Sequence, residues 1–218
     1  MSLKKKSKDF EVYIEGRKAC FTRPEFCAER KSYEVMTPSA AAGVMDCIHW
    51  KKGMRWHISR IEVGSEIRFD RTIMNEINKS LRNPMPFSIT DPQVRSQRNL
   101  TYLRDVSYKI TAHFRFTREA WEPNNFDKHY RMFDDRLKHG KLYELPYLGI
   151  RDFIGDVNVC PPSFSPIQQS RDLGIMFWGF DYDKPSPHPK LFFRAIMENG
   201  VIEIPTIEEV RNNEFVDY

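Results

Sequence analysis

The longest alternation of apolar and polar residues in the chain runs from Leu100 to Thr117. Successive side chains of a strand point to opposite faces, so residues two apart share a face. The pattern therefore predicts a long strand with one buried face and one polar face. The residues predicted to be buried are Val106, Tyr108, Ile110, Ala112, Phe114 and Phe116.

Shorter patterns predict the elements around this strand. Helices are predicted over Ser39–Trp50, with Thr37 as N-cap and Pro38 at the first helical position, and from Asn124 or Asn125 to His139, before Gly140. The resulting β-α-β-β-α-β order indicates an α+β protein with a ferredoxin-like arrangement, as in RNA-recognition modules. Further strands are predicted over Asp9–Thr22, Arg55–Val63, Glu66–Thr72 and Leu145–Phe153.

The chain changes character after residue 156. Prolines indicate a linker, and three strands are predicted over Gly174–Tyr182, Leu191–Met197 and Val201–Ile204. Asn199-Gly200 is typical of a hairpin turn. We therefore predict a ferredoxin-like domain over residues 1–156 and, over residues 157–218, a small antiparallel three-stranded sheet with an acidic tail. The polar, proline-containing stretch 75–98 is predicted to be an inserted loop or ribbon outside the core, and its length indicates a function.

Composition and motifs exclude several classes of protein. The longest apolar runs are shorter than the ~18 residues of a membrane-spanning helix, and no signal peptide is indicated. We therefore expect a cytoplasmic protein without a membrane partner, in which the four cysteines are reduced. The cysteines and histidines lack metal-site spacing, and the nucleotide-binding, serine-hydrolase and zinc-protease motifs are missing, so neither a metal site nor a cofactor is predicted.

Charge is distributed unevenly along the chain. Residues 51–118 carry a net charge of +8, whereas residues 119–218 carry a net charge of −6. A basic segment suits a polyanionic partner such as nucleic acid. The alternative is a solvated face that the acidic half balances in space.

Three residues are candidates for catalysis of RNA cleavage. Lys128 and His129 follow the capping asparagines of the second helix, where a helix N-terminus favours phosphate. A histidine can serve as general acid or base near neutral pH, and a lysine can stabilise a charged phosphorane. His49, at the end of the first helix, is a candidate for a second proton-transfer group. The alternative for Lys128 and His129 is that both lie on a solvated helix face. The alternative for His49 is a cation that interacts favourably with the negative C-terminal end of the helix dipole.

Other residues are candidates for binding RNA. Lys51 and Lys52 follow His49, and Arg95, Arg98 and Arg104 could contact phosphates while Tyr102 stacks on a base. The alternative is a local ion pair between Arg104 and Asp105, with Tyr102 in the core.

Four segments resemble one known family. SYEVMTPSAAAGVMDCIHWK, RNLTYLRDVSYKITAHF, NNFDKHYRMFDDRLKHGK and LPYLGIRDF are similar to the type I-C CRISPR-associated precursor-RNA processing endoribonucleases of the RAMP superfamily. The similarity extends from about residue 9 to residue 204, in consistent order.

The resemblance implies a ferredoxin-like domain followed by a small antiparallel sheet. It also implies metal-independent cleavage of precursor crRNA at the 3′ base of the repeat stem-loop, leaving a 2′,3′-cyclic phosphate and a 5′-hydroxyl. The product would stay bound in an interference complex with other subunits. The family's catalytic set is a tyrosine on the first helix and a Lys-His pair on the second, which Lys128 and His129 match, whereas His49 stands at the tyrosine position.

Two other functions compete with the endoribonuclease. His49 in place of the family's tyrosine is consistent with a non-catalytic RNA-binding subunit that holds the 5′ handle of the crRNA. The basic segment is consistent with binding of double-stranded DNA within the same complex, which should weaken steeply with salt.

Overall fold

The computed structural model describes residues 6–26, 29–77, 95–117 and 125–212. These residues form a mixed α/β structure with a large, mainly antiparallel sheet, a two-stranded sheet and few helices. The elements in chain order are β1 (Phe10–Ala19), β2 (Arg30–Lys31), α1 (Pro38–Ile48), β3 (Met54–Val63), β4 (Phe69–Ile77), β5 (Arg95–Phe116), α2 (Phe126–His139), β6 (Asp156–Asn158), β7 (Arg171–Phe180), β8 (Lys190–Met197), β9 (Val201–Glu203) and α3 (Ile207–Arg211).

The large sheet is built around β5, which confirms the predicted long strand. Its strand order is β6-β1-β5-β3-β9, with every neighbouring pair antiparallel, while β2 and β4 pair with the first part of β5. Ile110, Ala112 and Phe114 are buried, as the alternation predicts. The long strand therefore determines where most of the other strands lie.

The two predicted helices are present and contact each other. Thr37 caps α1 by accepting a hydrogen bond from the backbone N–H of Ala40, and Gly140 ends α2 in the left-handed conformation. Phe133 of α2 packs against the rings of Phe10 and Trp56, with ring centroids 4.6 and 5.2 Å away. Both helices therefore share one core with the large sheet.

The strand predicted over Leu145–Phe153 is wrong. This segment forms turns, and the strand that follows α2 is β6, which pairs with β1. Gly149 has a φ of +87°, and a Cβ there would lie 2.0 Å from the carbonyl oxygen of Cys20. The chain therefore folds back at Gly149, although its apolar residues still reach the core.

The predicted three-stranded sheet is also wrong. The small sheet contains only β7 and β8 among the described strands, because β9 pairs with β3 at the edge of the large sheet. The predicted Asn199-Gly200 turn is present, with φ values of 49° and 78°. It redirects the chain from one sheet to the other, so strands beyond residue 156 help to complete the large sheet.

Residues 78–94 of the predicted functional loop lie outside the described residues, whereas its flanks belong to β4 and β5. Among the described residues, no helix has the length and apolar character needed to cross a membrane. Cys20, Cys47 and Cys160 are free thiols.

Candidate active site

His49 lies where α1 ends. Its backbone N–H donates to the carbonyl oxygen of Met45, and its backbone is extended, with φ −150° and ψ 104°. The backbone thus leaves the helix at His49. The side chain is 0% exposed, so His49 faces the interior. Lys51 and Lys52, two and three residues further on, are exposed.

His129 lies in the first turns of α2. Asn125 caps this helix by accepting a hydrogen bond from the backbone N–H of Lys128, at 3.1 Å. The His129 side chain is 5% exposed and contacts the rings of Phe114 and Phe116 at the end of β5. Lys128, beside it in sequence, is exposed.

The packing of α1 against α2 brings the two histidines together. Nε2 of His49 lies 2.9 Å from Nδ1 of His129, within hydrogen-bond distance. Two of the three candidate catalytic residues therefore lie side by side.

Arg136, two turns after His129 on α2, completes this group. Its Nη1 donates to the carbonyl oxygen of Ile48 at 3.0 Å and lies 3.2 Å from Nδ1 of His49. A guanidinium has only N–H donors, so Nδ1 of His49 must be the acceptor. Neutral His49 then carries its proton on Nε2 and donates it to Nδ1 of His129, which places the proton of neutral His129 on Nε2.

Electrostatics keep His49 neutral. Burial lowers the pKa of His49 to about 4, and the positive charge of Arg136 and the neighbouring His129 act in the same direction. Protonation of His49 would also place a proton on Nδ1, which accepts from Arg136. At neutral pH His49 is therefore an uncharged hydrogen-bond donor that orients His129.

The arrangement suits an anionic oxygen. The N-terminal end of α2 carries the positive end of the helix dipole, and Lys128 adds a charge. In the tautomer described, His129 offers Nε2–H as a donor. Donors of this kind stabilise negative charge that develops on oxygen in a reaction.

The predicted arginines lie at the other end of β5 from the histidine pair. Arg98 pairs with Glu76 at 3.0 Å, and Arg104 lies 3.5 Å from Asp105. Arg95 begins β5, opposite Ile77 of β4. The structure does not bring these arginines to His129, so they belong to a separate surface along the paired strands β4 and β5.

Tyr102 is part of the core rather than of an open surface. It is 5% exposed, its ring packs against Phe153, and its hydroxyl donates to Asp70 at 3.2 Å. Its ring is therefore not accessible for stacking on a base in this conformation. The alternative interpretation, with Tyr102 in the core and Arg104 near Asp105, agrees with the structure.

Arg136 is the functional candidate that sequence reasoning missed. The signal was available, because residues seven apart on a helix lie on the same face. A cation two turns after His129 is therefore placed to reach whatever His129 contacts.

Comparison with known proteins identifies the family. Residues 10–205 match the family Cas_Cas5d, described as "CRISPR-associated protein (Cas_Cas5)". The chain is 38% identical to the "CRISPR pre-crRNA endoribonuclease Cas5d" of Mannheimia succiniciproducens, over 92% of this chain and 97% of the relative. It is 34% identical to the protein of the same name from Thermus thermophilus, over 89% of this chain and 90% of the relative.

Solved structures share the fold. One, a crystal structure of a CRISPR-associated protein, matches with a TM-score of 0.73 and 24% identity over all of both chains. A chain of a CRISPR RNA-guided surveillance complex matches with a TM-score of 0.52 and 13% identity, over 91% of this chain and 92% of that one. The extent of the family match and the identity to the two relatives show that this chain belongs to the Cas5d family of CRISPR-associated proteins.

Proposed function

We propose that this chain is a metal-independent endoribonuclease that binds the stem-loop of a CRISPR repeat and cuts precursor crRNA at its 3′ base. The observation that carries the proposal is the hydrogen-bonded pair of His49 and His129 beside Lys128, in a chain whose relatives are named pre-crRNA endoribonucleases. Cleavage by the neighbouring 2′-hydroxyl would leave a 2′,3′-cyclic phosphate and a 5′-hydroxyl.

Lys128 and His129 are the proposed groups at the scissile phosphate. The 2′-hydroxyl gives up its proton to solvent as its oxygen forms a bond to phosphorus, and the 5′-oxygen takes a proton from solvent as its bond to phosphorus breaks. Negative charge builds up on the phosphorane between these two events. The exposed ammonium of Lys128 and the Nε2–H of His129 would stabilise that charge. A neutral imidazole that donates in this way is an established catalytic device.

His49 acts through His129 in this proposal. Its side chain is buried, so it orients the catalytic histidine instead of touching RNA. For His129 to accept a proton at Nε2, both rings would have to exchange tautomers and the hydrogen bond from Arg136 to His49 would be lost. The tautomers set by Arg136 therefore favour His129 as a donor over His129 as the base.

The second candidate function is a non-catalytic subunit that holds the 5′ handle of the crRNA. The low exposure of both histidines favours it, because a buried pair has little access to a phosphodiester. In that case Lys128 would bind phosphate without promoting cleavage.

We further propose that the protein stays with its product as a subunit of a type I-C interference complex. Membership of the Cas5d family supports this assignment. The net charge of +8 on residues 51–118 suits contact with guide RNA, and duplex DNA is a further candidate partner. Lys51, Lys52, Arg95 and Arg98 are the proposed phosphate contacts.

We also infer that the first 156 residues form a ferredoxin-like unit. The strand order β6-β1-β5-β3, with α1 connecting β2 to β3 and α2 connecting β5 to β6, supports that description. β6, the edge strand of this order, covers Asp156–Asn158 and so extends two residues beyond the proposed boundary at residue 156.

The test is cleavage of a repeat hairpin RNA in EDTA, with a matched RNA that carries a single 2′-deoxy nucleotide before the cut site. We expect one cut in the first RNA and none in the second, because the nucleophile is missing. Cleavage of the deoxy RNA would overturn the mechanism. Tight binding of both without any cut would favour the handle-holding subunit.

A further inference from the structure

A cleft of about 450 Å³ opens between α1, β3 and β7, next to the histidine pair. We call it the α1 cleft, and the residues that carry the argument are Asp46, Trp50, Arg55, Trp178 and Tyr182. Its volume is in the range of small-molecule pockets. Trp50 follows His49 in sequence, and Trp56, also in the cleft wall, donates from its indole N–H to the carbonyl oxygen of His49 at 3.1 Å. The cleft wall is therefore joined to the backbone of His49 by a hydrogen bond.

The walls of the α1 cleft are aromatic and accessible. Trp50 is 46% exposed and Tyr182 is 54% exposed, although both are large apolar rings. The cleft is open beside Gly43 of α1, where an added Cβ would meet nothing within 4 Å. Exposed rings around open space suit a planar ligand that stacks on them.

Asp46 supplies the polar group of the cleft. It is half-buried on α1, and among the described residues it makes no hydrogen bond or ion pair. Burial raises the pKa of this carboxyl to about 7. A half-buried carboxyl that no side chain or backbone donor of the described residues contacts can accept hydrogen bonds from a ligand in the cleft. The other ionisable groups that line this side of the protein with Asp46 are Arg55, His57, Tyr143, Glu144, Tyr147 and Tyr182.

We propose that the α1 cleft binds one unpaired guanine of the substrate RNA beside the cut site, with the Asp46 carboxylate accepting from its N1–H and its exocyclic amino group. Among the ordinary RNA bases, guanine is the one that offers two adjacent donors to a bidentate carboxylate. Unpaired bases that leave the stem are commonly recognised by aromatic stacking together with hydrogen bonds to their edges. The proposal rests on the RNA substrate of the proposed function and adds a base specificity that the histidine pair alone does not provide.

The test uses hairpin RNAs whose single-stranded flanks are all uridine, with one guanosine moved through the first positions on each side of the stem. Binding is measured by fluorescence anisotropy at pH 8 in EDTA, where Asp46 is ionised. We expect one position at which guanosine binds about tenfold tighter than uridine, and we expect inosine, which lacks the amino group, to lose most of that gain. Asp46→Asn should abolish the preference, and Trp50→Ala should weaken binding at that position.

The control is Asp172→Asn, which changes an exposed carboxylate of β7 that does not line the cleft. It should keep the guanosine preference. Equal binding of all RNAs by the wild type, or a preference that survives Asp46→Asn, would overturn the proposal. So would an Asp46→Asn variant that binds RNA normally but loses capture by other subunits, because the cleft would then hold a protein partner.

Failure of this proposal can be told apart from failure of the proposed nuclease. Cleavage of the all-uridine hairpin reports the nuclease without any guanine contact. Normal cutting without a guanosine preference would support the nuclease and contradict the guanine site in the α1 cleft. A guanosine preference without cutting would support the guanine site and contradict the nuclease.

Discussion

Nε2 of His49 lies 2.9 Å from Nδ1 of His129, across the contact between α1 and α2. Arg136 fixes the direction of this hydrogen bond, because its guanidinium can only donate to Nδ1 of His49. The three side chains thus form a chain of hydrogen bonds that runs from Arg136 through His49 to His129. Changes to each of them should have distinguishable effects.

His49→Ala should slow cleavage about 100-fold with little change in RNA affinity, because the His129 donor that stabilises the phosphorane is no longer oriented. Alanine cannot orient His129, whereas in His49→Gln the amide can still donate to Nδ1 and should restore part of the rate. Single-turnover rate constants and binding constants for the hairpin separate the two quantities. A His49→Ala variant that cuts normally but binds weakly would show that His49 contacts RNA.

Arg136→Met should raise the pKa of His49 towards its ordinary value without reaching it, since burial, the larger cause of the lowering, remains. It should also allow the two imidazole rings to exchange tautomers, because Nδ1 of His49 no longer has to accept from a guanidinium. Long-range ¹H–¹⁵N spectra of the imidazole rings, recorded against pH, report both changes. Arg131→Met, an exposed change on the same helix, is the control. An unchanged His49 titration in Arg136→Met would disprove the tautomer assignment.

Acid should destabilise the protein through His49. The unfolded chain protonates this side chain near pH 6.5, whereas the folded pKa is lowered to about 4. The unfolded state therefore binds more protons between pH 6.5 and pH 4, so stability is lost as pH falls through that window, by about 3 kcal/mol. Urea unfolding at pH 7 and pH 4.5 should show a smaller loss for His49→Gln than for the wild type. His139→Gln, which changes an exposed histidine, should behave like the wild type.

Asp46→Asn should stabilise the protein at pH 8. The folded pKa of Asp46 is raised to about 7 from 3.8, so the folded state binds more protons between those values and stability is lost as pH rises through the window. Asparagine does not ionise, and we expect it to add about 4 kcal/mol at pH 8 and almost nothing at pH 3.5. Urea unfolding measures this gain. A variant less stable than the wild type at pH 8 would mean that the carboxylate has a stabilising partner.

Local signals account for what could be predicted of the fold. The alternation in β5, the Thr37 cap and the Gly140 end all depend on neighbouring residues, and the structure has each of them. The failures depend on distant contacts. Gly149 turns the chain because the backbone of Cys20 lies against it, and β9 leaves the small sheet because β3 offers it an edge.

In the candidate site too, the features set by local sequence could be predicted, whereas those set by distant contacts could not. The Lys128-His129 pair was recognisable from the helix start and the family motif, but the hydrogen bond to His49 depends on how two helices pack. Tyr102 could not be assigned to core or surface by alternation alone, because both neighbours on its strand face, Leu100 and Arg104, suggest different environments. Its burial depends on Phe153, far along the chain.

The central claim is that Lys128 and His129 form the cutting site, and it is tested most directly by cleavage of a repeat hairpin RNA in EDTA. Wild type, Lys128→Ala and His129→Ala should be compared with Lys138→Ala, which removes an exposed lysine of the same helix that pairs with Asp134. We predict a single cut by the wild type and by Lys138→Ala, and a loss of at least 100-fold in the other two variants with the hairpin still bound. Undiminished cutting by both Lys128→Ala and His129→Ala would contradict the account.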